Sequence, residues 1–132
     1  MLEDLESARQ RGARIYAEVL GGAVNCGGHR SGGTMTAPNP EGVQRCIRNA
    51  ISDADITFQQ IDAISGHLTA TFADPGEVKN WSLALERGPE NFPYINSTKP
   101  GNVTVGILVI STHIDTHHMT ILMVFNKMTH PI

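Results

Sequence analysis

Two stretches of helical periodicity, each preceded by a β-leaning run and followed by a short apolar one, constrain this chain more than any other feature. From Pro40, the residues Val43, Cys46, Ile47, Ala50 and Ile51 fall at i, i+3, i+4, i+7 and i+8, one face of a helix. Proline suits a first helical turn, and Ser52-Asp53-Ala54-Asp55 ends the pattern. A second helix is expected over residues 74–87, with Val78, Trp81 and Leu85 as its apolar stripe and Gly88 as its stop. Strands are expected at 13–20 (ARIYAEVL, closed by Gly21-Gly22), at 61–65 (IDAIS) and at 94–96, with two further β-branched runs at 103–111 and 119–125. Strands alternating with helices of ten or more residues predict an α/β layered fold with a mixed, mostly parallel sheet. Residues 2–10 read as the tail of a helix, acidic early and basic late, stopped at Gly12. A chain that opens inside a helix reads as a fragment.

Length and composition narrow the function classes. At 132 residues the chain is one domain, large enough for a core of its own. A net charge of −3 offers no basic field for nucleic acid or an anionic membrane, and 5% aromatics give few platforms for base stacking. The longest apolar stretch, 103–110, falls far short of the roughly 20 residues a spanning helix needs. The acidic start Met1-Leu2-Glu3-Asp4 lacks the basic and apolar regions of a secretory signal. Two cysteines, Cys26 and Cys46, form no CxxC pair or disulfide framework, so a reducing cytoplasm is expected. The sequons at Asn96 and Asn102 carry no meaning without a secretory route. The glycine-rich loop 25–40 contains no GxxxxGK, so no phosphate cradle is read there.

Several side chains could carry chemistry. His67 just past a short apolar strand, with Thr69 and Thr71 beside it, can donate to a developing oxyanion; a turn histidine with one structural hydrogen bond is the plain alternative. Lys99 lies in Ser97-Thr98-Lys99-Pro100, where an exposed turn lysine is the plain alternative. Asp74 and Glu77 sit in a helix's first turn and read as charges favoured by its dipole. His113 and His117 would share a helical face as zinc ligands can, but the β-like surroundings and the lack of HExxH argue for a surface connection and no metal.

Four segments together resemble one family, the β-ketoacyl-acyl-carrier-protein synthases. LEDLESARQRGARIYAEVLG (2–21) is similar to the family's helix running through Arg-Gly-Ala into an Ile-Tyr-Ala-Glu strand. TAPNPEG (36–42) is similar to its turn into the next helix. ISGHLTATFADPGEVKNW (64–81) resembles the segment usually written NAHGTSTP, and INSTKPG (95–101) resembles SSTKS. Order and spacing agree over about residues 1–101, leaving 102–132 as a divergent tail of a single half-domain.

The resemblance implies a thiolase fold built from two similar α/β halves, of which this chain would be the C-terminal one. The nucleophilic cysteine belongs to the other half. In this half two histidines, one supported by a lysine, stabilise the enolate and the thioester oxyanion during decarboxylative condensation of malonyl-carrier-protein. Carried over by motif, His67 takes the first histidine's place, Thr69 and Thr71 the two threonines', and Lys99 the lysine's. Thr104 stands where the second histidine belongs, and Leu68 where the common pattern has glycine. Neither Cys26 nor Cys46 inherits the nucleophile's role, because that cysteine sits at a helix N-terminus where dipole and amides lower its pKa. The implied partners are acyl carrier protein, acyl thioesters, and a missing N-terminal half or a second copy; no cofactor is implied. The expected function is a fragment or homologue of 3-oxoacyl-[acyl-carrier-protein] synthase, inactive alone. The alternative is a non-catalytic pseudo-enzyme or interaction subunit pairing with a condensing enzyme.

Overall fold

The computed structural model describes residues 2–26, 39–68, 70–97, 107–114 and 119–127. The first helix, α1 (Leu5–Gln10), is capped by Asp4, whose carboxylate accepts from the Ser7 amide at 3.0 Å. Gly12 follows at φ +65°, a left-handed stop of the expected kind.

Strand β1 (Ala17–Cys26) continues through Gly21-Gly22, which were expected to close it, and ends on Cys26, which was expected in a loop. The glycines serve a different purpose. A β-carbon on Gly21 would lie 2.6 Å from the Ala54 nitrogen, so glycine is what lets β1 run directly under the end of the following helix. The register shifts between Val19 and Gly21, making Leu20 the extra residue of a bulge that packs against the core.

Helix α2 (Pro40–Asp53) matches its periodicity: Gly42, Cys46, Ile47, Ala50 and Ile51 are buried. The Asn39 side chain accepts from the Glu41 amide at 2.9 Å, satisfying one of the orphan donors of the first turn. Both ends of α2 are tied to β1. The Gly22 amide donates to the Asp53 carboxylate at 2.9 Å, and the Asn25 side-chain amide donates to the Gly42 carbonyl at 2.6 Å.

A short 3₁₀ turn, Phe58–Gln60, leads into β2 (Ala63–Gly66), all four residues of which are buried. Helix α3 (Asp74–Leu85) buries Trp81, Ala84 and Leu85. Its expected stop at Gly88 is overtaken: Glu86 already takes the left-handed conformation at φ 54°, and Gly88 is extended. Arg87 then reaches back, its Nη1 donating to the Ile61 carbonyl at 2.7 Å and its Nε to the Asn91 carbonyl. That guanidinium ties the end of α3 to the entry of β2. Strands β3 (Tyr94–Ser97), β4 (Ile107–Ile114) and β5 (Met119–Lys127) complete the order.

Among the described residues the sheet has five strands in the order β1-β5-β4-β2-β3. It is mixed. The β4-β2-β3 arm is parallel, and β1, β5 and β4 pair antiparallel. Helix α2 packs on β1 and β5 and against α3. One cluster gathers Ile47 and Ile51 of α2, Trp81 and Leu85 of α3, Ile64 of β2, Val124 of β5, and Ile61. Each of these is essentially fully buried, and each such side chain stabilises the fold by about 1.5–3 kcal/mol. No helix among the described residues is long and apolar enough to cross a membrane.

Candidate functional site

Strand β2 lies between two parallel neighbours, with Ser65 opposite Asn96 of β3 and opposite Ile110 of β4. Residues leaving the carboxyl end of such a strand project from one edge of the sheet, where α/β proteins place their chemistry. His67 is the first residue past that end, and it is exposed. Its carbonyl accepts from the Ser97 hydroxyl at 3.4 Å, joining the ends of β2 and β3.

Two carboxylates at the start of α3 organise the loop after His67. Glu77 accepts from the His67 amide at 2.7 Å through Oε1 and from the Leu68 amide at 3.1 Å through Oε2. Asp74 accepts from the Ala70 amide at 3.0 Å through Oδ2, with the Thr71 amide 3.5 Å from Oδ1. The loop is wound in a way that L-residues resist: Leu68 has φ 20° and Ala70 φ 59°. Leu68 therefore holds a position that a glycine would fill without steric resistance. Gly66 completes the arrangement, because a β-carbon there would come within 2.9 Å of Glu77 Oε1.

Of the residues carried over by motif, His67 and Thr71 are described, and Thr69 and Lys99 lie outside the described residues, as does Thr104. The Thr71 hydroxyl accepts from the Ala73 amide at 3.4 Å, in the turn that starts α3. Sequence reasoning misses the loop-holding role of Glu77 and Asp74, which by position are charges favoured by the helix dipole. The available signal was their placement within ten residues of His67, on the helix that follows it.

Cys46 is a core residue. Its thiol donates to the Ala23 carbonyl at 3.4 Å, and burial pushes its pKa above the ordinary thiol value. His113 lies within β4, where i and i+4 residues do not converge on one ligand; His117 and His118 lie outside the described residues. Among the described residues no group of three or more His, Cys, Asp or Glu side chains could hold a metal ion.

Solved ketosynthases share this architecture. The ishigamide ketosynthase/chain length factor superposes with a TM-score of 0.75 over 96% of this chain and 41% of its own, at 24% identity. A Streptomyces albus oxazolomycin ketosynthase domain superposes with a TM-score of 0.77 over 98% of this chain and 50% of its own, at 16% identity. The chain therefore has the fold of part of a ketosynthase, α/β with helices layered on a mixed sheet. The family profile for the β-ketoacyl synthase C-terminal domain matches residues 16–103, and the chain belongs to that family. Its relatives include the chloroplastic 3-oxoacyl-[acyl-carrier-protein] synthase II of Arabidopsis thaliana, 42% identical over 75% of this chain and 18% of that protein. They also include 3-oxoacyl-[acyl-carrier-protein] synthase 2 of Rhizobium meliloti, 42% identical over 59% of this chain and 18% of that protein. The chain thus matches less than a fifth of the length of these two relatives, and half or less of the two solved structures.

Proposed function

We propose that these 132 residues supply the histidine-bearing half of a 3-oxoacyl-[acyl-carrier-protein] synthase, a transferase of fatty-acid biosynthesis, and that the nucleophilic cysteine comes from residues outside them. One observation carries the reading: within the span matched by the family, His67 stands exposed at the carboxyl end of the central parallel strand, on a loop held by two carboxylates. In the reaction, an acyl group sits as a thioester on the cysteine. A malonyl thioester loses carbon dioxide, the resulting enolate carbon attacks the acyl carbonyl, and the cysteine leaves as thiolate. His67 donates a hydrogen bond to the oxygen that gains charge. Lys99, Thr69 and Thr71 are assigned supporting roles by motif.

The proposed partners are acyl carrier protein and its thioesters, together with the complementary half. A type II polyketide synthase acyl-carrier protein has been seen in complex with its ketosynthase, whose fold this chain matches at a TM-score of 0.74. The proposed compartment is the reducing cytoplasm, in keeping with two cysteines that form no CxxC pair or disulfide framework.

A second reading rests on Thr104, which occupies the second histidine's place. A hydroxyl there can donate a hydrogen bond but lacks the imidazole's charge and its proton-accepting nitrogen, so the chain would serve as a non-catalytic subunit that pairs with a condensing enzyme.

Intact-mass measurement after incubation with an acyl-carrier-protein thioester tests both. The isolated folded chain is expected to gain no acyl group. A stable adduct on Cys26 or Cys46 overturns the half-site reading. Mixing with the cysteine-bearing half of a synthase then separates the two functions: malonyl decarboxylation dependent on His67 supports the enzyme, and assembly without turnover supports the subunit.

A further inference from the structure

We infer that Glu77 is the positioning residue for His67, acting through the backbone and not through the imidazole; the inference rests on the reading of His67 as the catalytic histidine. Consecutive amides of an extended chain point in opposite directions, so one carboxylate cannot take both. Here it does, with the His67 amide on one oxygen and the Leu68 amide on the other. The convergence comes from the turn of the backbone at Leu68, φ 20°, which brings successive N–H groups into a small anion-binding concavity. A leucine resists that conformation, and Glu77 is what holds it there.

Gly66 is the third part. A β-carbon at that position would stand 2.9 Å from Glu77 Oε1, in the carboxylate's path to the two amides. Gly66 leaves the carboxylate room to reach both amides, and the turn at Leu68 with Glu77 sets the peptide plane from which the His67 side chain departs. There is a chemical consequence. The amides of His67 and Leu68 are already taken by the chain's own carboxylate, so they are not available as a backbone oxyanion hole. The imidazole remains as a donor at this edge, and Glu77 holds the peptide from which it departs.

The decisive variants are Glu77→Gln, alone and with Leu68→Gly. Glutamine keeps the length and helix preference but has one acceptor oxygen, so one amide loses its partner. Hydrogen exchange at the His67 and Leu68 amides is expected to accelerate about tenfold or more, as loss of a bond to a charged group implies, while exchange within α2 stays unchanged. Glycine adopts the left-handed turn without resistance, so Leu68→Gly in the Glu77→Gln background is expected to recover protection at the amide that keeps the glutamine oxygen, while the other stays fast. In an assembly with the cysteine-bearing half, Glu77→Gln is expected to lower the kcat of malonyl decarboxylation about tenfold at unchanged KM, with Leu68→Gly restoring part of it. If Glu77→Gln leaves loop exchange unchanged, or if Leu68→Gly restores neither protection nor kcat, Glu77 is only a first-turn charge of α3 and the proposal is wrong. If the wild-type assembly shows no decarboxylation, the functional reading fails while the exchange result still decides the role of Glu77.

Discussion

Gly21 of β1 lies against Ala54 at the end of α2 so closely that an added β-carbon would stand 2.6 Å from the Ala54 nitrogen and 2.8 Å from its α-carbon. Both contacts are to backbone, which cannot swing aside as a side chain can. Gly21→Ala is therefore expected to force α2 off the sheet and destabilise the fold by about 1–3 kcal/mol, the range for an overpacked core. Gly76, in α3, has no atom within 4 Å of the place its β-carbon would occupy. Gly76→Ala is expected to stabilise by about 0.5–1 kcal/mol through helix propensity. Denaturant melts of the two variants should move in opposite directions.

The end of α3 offers a second gain. Glu86 occupies the left-handed position at φ 54°, with its amide bonded to the Ser82 carbonyl. Glycine removes the steric cost of that conformation, so Glu86→Gly is expected to stabilise by about 0.5–1 kcal/mol. A thermal melt with Gly88→Ala as comparison checks this, since Gly88 is extended and gains nothing from being glycine.

Cys46 should make stability depend on alkaline pH. Burial raises its pKa in the folded state, so the folded protein keeps the proton after the unfolded chain has lost it. Stability is then complete below the ordinary thiol pKa of about 8.5 and declines as the pH rises from there toward the folded value. Cys46→Ala is expected to flatten that decline, measured by urea melts between neutral and alkaline pH. In the native protein Cys46 should resist iodoacetamide until unfolding exposes it.

Trp81 is the largest of the fully buried side chains and joins α3 to the core cluster. Trp81→Ala is expected to cost about 3–5 kcal/mol. Circular dichroism at a temperature where the wild type is folded would show the loss.

Association is expected through the face of the sheet turned away from α2. Leu20 and Ala23 pack into the core, while Val19 and Val24 on the same strand are 41% and 59% exposed. Their register partners on β5 are Phe125 and Ile121, so the row of positions on that side is apolar. Light scattering at rising concentration should show self-association, and Val24→Lys should reduce it. A wild-type protein that stays monomeric at high concentration would count against this surface.

The sequence by itself determined the helices and the approximate strands. Val43, Cys46, Ile47, Ala50 and Ile51 repeat at helical spacing because one side of a surface helix must leave water, and that rule acts locally. The four motif segments likewise pointed to a condensing-enzyme half before any strand was paired. What the sequence could not show depends on approach between distant segments. Gly21-Gly22 look like a strand's end until Ala54, far along the chain, is seen to lie against Gly21. Glu77 reads as a helix-dipole charge until the turn at Leu68 brings two amides to it. Periodicity records which side of an element is apolar, but it carries no information on which backbone will come within bonding distance of which side chain. Only the tertiary structure placed Glu77 under His67, because that contact is made by folding a helix back across the end of the strand before it.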